Sequence, residues 1–172
     1  MEIYNYNFVG YAAYEDIAKK AFDQINKSMN KNFYFEIAAN EAVLNAAKYS
    51  IFGLNDAEIS MTVLISDTDV SVIIKSITQP FSAEHYREQL YQLLDNPATM
   101  DMKWGEYTGM TERSRGFWYM LTACEYIIVN NDGNEITICI RKSANNNEIP
   151  DPDTQIRRLL PRFLIKKNGV VQ

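Results

Sequence analysis

This 172-residue chain contains few of the residues that build disulfide frameworks and histidine-based metal sites: it has two cysteines and one histidine. Cys124 falls in a predicted helix and Cys139 in a predicted strand, so we expect two reduced, packed thiols. His85, with no second histidine, excludes a His-rich metal site and argues against a Ser-His-Asp triad. Metal or nucleophile chemistry of these kinds is therefore not expected.

Positive charge and long apolar runs are also scarce. Lys and Arg number 17 against 22 Asp and Glu, which gives a net charge of -5 and argues against a nucleic-acid surface. No apolar run is long enough to span a bilayer. Residues 1–7 lack the basic start and apolar core of a signal peptide. These absences favour a cytoplasmic protein with neither nucleic acid nor membrane as partner.

The most informative stretch is an Ala- and Leu-rich helical pattern over residues 35–50. Glu41 and Asn45 stand one turn apart on one face of this predicted helix. A carboxylate and a carboxamide are costly to bury there without partners, and a bound Mg-phosphate would supply them. The alternative is that both are surface residues of an amphipathic helix, and the helix by itself leaves both interpretations open.

Periodicity along the rest of the chain predicts a single α/β domain. Helices that alternate with hairpins indicate a two-layer sandwich, with helices on one face of a mixed, mostly antiparallel sheet. The predicted elements are an edge strand at 2–9, a helix at 14–25, strands at 59–65 and 70–75, a helix after Ser82, an irregular segment at 99–113, a helix from Ser114 or Arg115, and a hairpin at 125–142.

Beyond residue 142 the composition changes. Asn- and Pro-rich residues read as a linker, and residues 154–165 predict a short basic helix with an apolar stripe. We therefore divide the chain into a domain at 1–142 and a C-terminal tail at 143–172. The tail either packs on its own domain or forms a partner-binding or dimer-forming element. Its apolar stripe consists of Ile156, Leu159, Leu160 and Phe163.

Three features in order along the chain resemble a known superfamily. They are Glu41 followed by Asn45-Ala46, the helix start Arg115-Gly116-Phe117, and the closing hairpin. The pattern is similar to the histidine-kinase-like ATPase (GHKL) superfamily, and within it to the branch of anti-sigma factors and serine-protein kinases. The resemblance covers roughly residues 1–142.

The resemblance implies a bacterial, cytoplasmic regulatory protein that binds ATP with Mg and either phosphorylates a serine of a partner or holds a sigma factor inactive. Glu41 would then orient or deprotonate the attacking hydroxyl, and Asn45 would ligate Mg. Arg115 and the backbone amide of Gly116 would contact phosphate. The implied partner is a sigma factor or an anti-anti-sigma-type protein, and a homodimer is a further option.

The chain departs from this pattern at the adenine end of the motif. Ser76 stands where the family has an Asp that accepts a hydrogen bond from adenine, and Thr78 stands where it has a Gly. Loss of a charge-assisted contact costs on the order of 1.5–3 kcal/mol, and a β-branched residue hinders close approach. The alternative function is therefore a non-catalytic protein-binding module of the same fold that has lost nucleotide binding and needs no cofactor.

Overall fold

The computed structural model describes residues 1–109, 112–143, 151 and 153–172, leaving aside the side chains of residues 112–114. Its strands are β1 (Glu2–Val9), β2 (Glu58–Ile65), β3 (Asp69–Ser76), β4 (Tyr126–Asn130), β5 (Glu135–Arg141), β6 (Phe163–Lys167) and β7 (Val170–Val171). Its helices are α1 (Tyr14–Ser28), α2 (Phe33–Lys48), α3 (Ala83–Asp95), α4 (Trp104–Thr108), α5 (Glu112–Ala123) and α6 (Ile156–Leu159). Short 3-10 turns cover Tyr11–Ala13 and Leu160–Arg162.

The described strands form one sheet in the order β1-β2-β3-β5-β4-β6-β7. Each neighbouring pair is antiparallel except β4 and β6, which run parallel. β1 lies at one edge, as predicted, and pairs with β2 along its whole length. The predicted class, α/β with a mixed and mostly antiparallel sheet, is confirmed.

One face of the sheet carries the core. Helix α2 lies against β3 on this face, and α5 packs beside α2. Ala38 and Ala42 of α2 are fully buried, and their small side chains allow this close packing. The two cysteines are free and buried, as expected. The buried residues of β2 and β3 are those that the alternation predicted: Ile59, Met61, Val63, Ile65, Val70, Val72 and Ile74.

Helix α2 ends earlier than the sequence indicated. Its last residue is Lys48, whereas the predicted helical pattern continues to residue 50. After Lys48 the chain pairs with the segment that follows β3, where the backbone N of Ile51 donates to the carbonyl oxygen of Ile77 at 3.0 Å. This long-range pairing satisfies backbone groups that a longer helix would have used.

The C-terminal segment differs most from expectation. Instead of one helix over 154–165, α6 covers only Ile156–Leu159, and β6 begins at Phe163. Pro161 cannot donate a helical hydrogen bond, and the residues after it gain parallel pairing with β4, where Phe163 lies opposite Ile127. The predicted apolar stripe is nevertheless buried, and it packs on the parent domain rather than remaining exposed: Ile156, Leu159, Leu160 and Phe163.

The segment between α3 and α5 is more regular than predicted. It contains α4, whose Trp104 is only 1% exposed and whose ring centroid lies 5.9 Å from that of Phe117. Helix α5 begins at Glu112, two to three residues before the predicted start at Ser114 or Arg115. A shift of a few residues is usual when a helix boundary is predicted from sequence. Here the shift changes which backbone amides lie in the first turn of α5.

Candidate functional site

A cavity of about 500 Å³ lies between α2, the end of β3 and α5. Helix α2 contributes Ala42, Asn45 and Ala46 to its wall, and the residues after β3 contribute Thr78. The predicted site residues Asn45 and Thr78 are thus brought together. The volume lies within the range of small-molecule sites, which is about 300–1,000 Å³.

Aromatic rings from separate parts of the chain line this cavity. Tyr86 of α3 meets Phe117 of α5 edge to face, with ring centroids 5.6 Å apart, and Phe117 meets Phe163 of β6 at 5.1 Å. Phe81 lies 6.0 Å from Tyr86. Burial raises the pKa of Tyr86 to about 12, so its hydroxyl is neutral at physiological pH. The rings form a largely apolar enclosure.

These rings are the site residues that the sequence reasoning missed. Phe117 lies inside the quoted helix start, so its aromatic character was a signal that could have been used. Phe163 gave no such signal, because its place in the cavity depends on the pairing of β6 with β4.

The polar part of the lining is uncharged. Asn45, Thr78, Gln79 and Asn134 contribute amide and hydroxyl groups, and within the described part of the chain no Asp, Glu, Lys or Arg lines the cavity. The Oγ1 atom of Thr78 is buried and has no hydrogen-bond partner among the described residues. An unpaired buried hydroxyl costs about 1–3 kcal/mol unless a bound group satisfies it.

Ser76 lies on the same sheet face as Ile74 but does not line the cavity. Its side chain is 7% exposed, opposite Ile59 of β2, and its Oγ atom has no hydrogen-bond partner among the described residues. Its backbone N donates to the carbonyl oxygen of Asn134 at 3.0 Å. Ser76 is therefore buried in the sheet beside the cavity rather than exposed within it.

Glu41 lies one turn before Asn45 and outside the cavity lining. Its half-buried carboxylate packs against Gly116 of α5, where an added Cβ atom would overlap Oε2 of Glu41. Burial raises the pKa of Glu41, while the positive charges of Lys48 and Arg115 oppose that increase. Glu41, Arg115 and Gly116 thus form a second group of predicted residues, separate from the pair in the cavity.

Arg115 and Gly116 do not occupy the first turn of α5. Arg115 is its fourth residue, with an exposed side chain, and Gly116 is its fifth. The N–H groups left free by a helix are those of its first few residues, so the amide of Gly116 belongs to the internally bonded part. Gly116 thus lies inside the helix rather than at its N-terminus, and contact of its amide with phosphate stays a prediction.

The C-terminal segment ties the segment before α5 to the rest of the domain. The backbone N of Ile156 donates to the carbonyl oxygen of Met102 at 3.0 Å, and that of Trp104 donates to Thr154 at 3.1 Å. Arg157 pairs with Asp101 at 2.9 Å. Main-chain hydrogen bonds thus join the segment between α3 and α5 to the C-terminal segment.

Exposed apolar side chains lie on the two segments that follow α2 and β3, beside the cavity. Tyr49 and Phe81 line the cavity and also reach solvent. The segments that carry them are joined through backbone bonds, including one from Gln79 N to Tyr49 O at 2.8 Å. We call the following residues, each 43–54% exposed, the mouth cluster: Tyr49, Ile51, Phe52, Leu54, Ile77 and Phe81.

Two searches within the described residues give negative results. No helix there is long and apolar enough to cross a bilayer. No cluster of three or more His, Cys, Asp or Glu side chains there could hold a metal ion. In comparisons with known proteins, no protein-family model matches the sequence, and no curated protein is significantly similar to it.

Proposed function

We propose that this chain is a cytoplasmic regulatory protein that acts by binding a protein partner, on a fold of the histidine-kinase-like ATPase type, without nucleotide chemistry. The observation that carries the proposal is the uncharged lining of the cavity within the described residues. A nucleotide triphosphate with Mg brings several charges, which need opposite charges or free backbone amides around them.

The described residues around the cavity do not fit Mg-ATP. Gly116 offers no first-turn amide, and Arg115 points its charge outside the cavity. Ser76 has a hydroxyl where the family has a carboxylate, and its side chain is buried in the sheet. Three of the contacts that the resemblance implied for phosphate and adenine are therefore absent or weakened, and the cavity keeps its apolar character.

The mouth cluster supports protein binding. Exposed apolar side chains grouped on adjoining segments mark interaction surfaces more often than scattered ones do. In the proposed role, a sigma factor or an anti-anti-sigma-type protein covers this surface. Ile51→Lys and Ile77→Lys place a charge in the cluster and are expected to abolish co-purification of the partner. Ile3→Lys, at a similarly exposed position on β1, is the matched control and should leave it intact.

A second candidate is an ATP-dependent serine-protein kinase. It is favoured by one observation: Asn45 and Thr78 line the same cavity, and Glu41 stands one turn away on α2. In that case Asn45 would hold Mg and Glu41 would orient the hydroxyl of the partner's serine.

Calorimetric titration with adenylyl imidodiphosphate and Mg separates the two candidates. The proposal expects no saturable heat at protein and ligand concentrations in the range of tens to hundreds of micromolar, where a kinase with an ordinary nucleotide affinity would show one. A 1:1 isotherm that Asn45→Ala removes, with the fold intact by circular dichroism, would overturn the proposal and favour the second candidate.

A further inference from the structure

We infer that the cavity is a binding site for an uncharged, flat aromatic molecule, held beside the aromatic side chains and met at its polar edge by Thr78. The inference deepens the proposed function, because it rests on the cavity not being a site for Mg-ATP. It names the class of ligand that the same cavity takes.

The absence of charge among the described residues of the lining sets the first limit on this ligand. The charged side chains nearest in sequence to the lining of α2 are Glu41 and Lys48, and neither contributes to the wall. A ligand charge inside the cavity would lose its hydration without gaining an opposite charge, and such burial is strongly unfavourable. A neutral ligand avoids this cost.

The shape and composition of the wall set the second limit. Tyr86, Phe117 and Phe163 meet at ring-centroid distances between 5.1 and 6.2 Å, and Phe81 closes the group at the mouth. Aromatic rings prefer offset or edge-to-face contact with another ring. The cavity of about 500 Å³ is large enough for a fused two-ring system beside them.

The hydroxyl of Thr78 orients the ligand in the cavity. Its Oγ1 atom is buried and unpartnered within the described chain, and the residue lines the cavity. A hydroxyl donates one hydrogen bond and accepts others, so it can meet either an N–H or a carbonyl on the edge of a neutral ring. Binding of such a ligand would give this hydroxyl the partner that the described residues do not provide.

Two fluorescent probes with the same aromatic framework test the inference. N-phenylnaphthylamine is neutral, and anilinonaphthalene sulfonate is the corresponding molecule with a sulfonate. We expect the neutral probe to bind the full-length protein with 1:1 stoichiometry, and at least about tenfold more tightly than the sulfonate.

Variants locate the probe. Ala46→Leu fills part of the cavity and should weaken binding of the neutral probe by about tenfold or more, whereas Ala98→Leu, at an exposed position elsewhere, should leave it unchanged. Thr78→Val keeps the side-chain shape and removes the hydroxyl, so the affinity should fall by about two- to tenfold. Circular dichroism and thermal melting establish that each variant is folded.

The outcomes distinguish this inference from the proposed function. Displacement of the neutral probe by adenylyl imidodiphosphate with Mg would overturn the proposed function and the uncharged-ligand assignment with it. Without such displacement, equal affinity for the two probes, or an Ala46→Leu variant that is folded and binds as the wild type does, would overturn the inference alone.

Discussion

Glu41 of α2 and Gly116 of α5 are so close that a Cβ atom on Gly116 would overlap Oε2 of Glu41. Two residues from separate predicted motifs therefore meet directly at the packing between two helices. The family resemblance implies that these two residues serve different parts of a nucleotide site. In this structure, each residue instead limits the space available to the other.

The contact predicts a coupling between the two positions. Gly116→Ala gains helix propensity of about 0.5–1 kcal/mol but forces the Glu41 carboxylate to move. On a Glu41→Ala background the carboxylate is gone, so the same substitution should stabilise the protein by close to the full propensity term. Urea unfolding of the four proteins in this double-mutant cycle should give a coupling energy of at least about 0.5 kcal/mol. Additive effects would show that the side chain yields without cost.

The raised pKa of Glu41 should make the free energy of unfolding depend on pH. Burial raises its folded-state pKa above the ordinary 4.5, so the folded chain keeps this proton to a higher pH than the unfolded chain does. Its contribution to stability is therefore present below pH 4.5 and declines as the pH rises through the raised pKa. The difference in unfolding free energy between wild type and Glu41→Gln should fall over that window.

The pKa of Glu135 is shifted in the opposite direction to that of Glu41. Burial acts to raise its pKa, but hydrogen bonds from Lys75 and Lys166 outweigh that effect and lower it below 4.5. Its contribution is present above pH 4.5 and is lost as the pH falls through the lowered pKa. The difference in unfolding free energy between wild type and Glu135→Gln should therefore rise with pH. If this difference and the one for Glu41→Gln changed with pH in the same direction, the opposite pKa shifts assigned to Glu41 and Glu135 would be contradicted.

Arg162 should stabilise the end of α5. Its Nη1 atom donates to the carbonyl oxygens of Leu121, Thr122 and Cys124 at 3.1–3.3 Å, where the carbonyl groups at a helix C-terminus are otherwise unpaired. Arg162→Ala should lower the free energy of unfolding by about 1–2 kcal/mol. Arg158→Ala, also exposed and in the same segment, should change it by less than about 0.5 kcal/mol. Equal thermal midpoints for the two variants would argue against this capping role.

Restoration of the family residues separates the two candidate functions. Ser76→Asp with Thr78→Gly should give about a tenfold gain in affinity for the ATP analogue if the cavity is a nucleotide site. In the proposed module it should instead place an unpaired carboxylate in the sheet and lower stability by about 2 kcal/mol or more, with no nucleotide binding. Ser60→Asp, opposite Lys75 on the other face of the sheet, is the control for added charge.

The sequence pattern predicted the elements with strong periodicity. The alternation in β2 and β3 and the apolar stripe of Ile156, Leu159, Leu160 and Phe163 all correspond to buried residues in the structure. These predictions succeed because a period of two or 3.6 residues is a local property of the chain. The predicted ends of helices were less accurate than the helices themselves, as at the end of α2 and the start of α5. At these positions capping and long-range backbone pairing compete with continuation of the helix.

The sequence by itself determined the class of fold, the edge strand, the buried faces and the residues placed on α2. Only the tertiary structure decided that Asn45 and Thr78 share a cavity while Glu41 packs on Gly116, and that Ser76 is sealed beside that cavity. It also decided that Phe163 leaves the predicted helix and joins the aromatic wall. The physical reason is that these contacts join segments distant along the chain, so their formation depends on which backbone pairings and side-chain volumes the whole core accommodates.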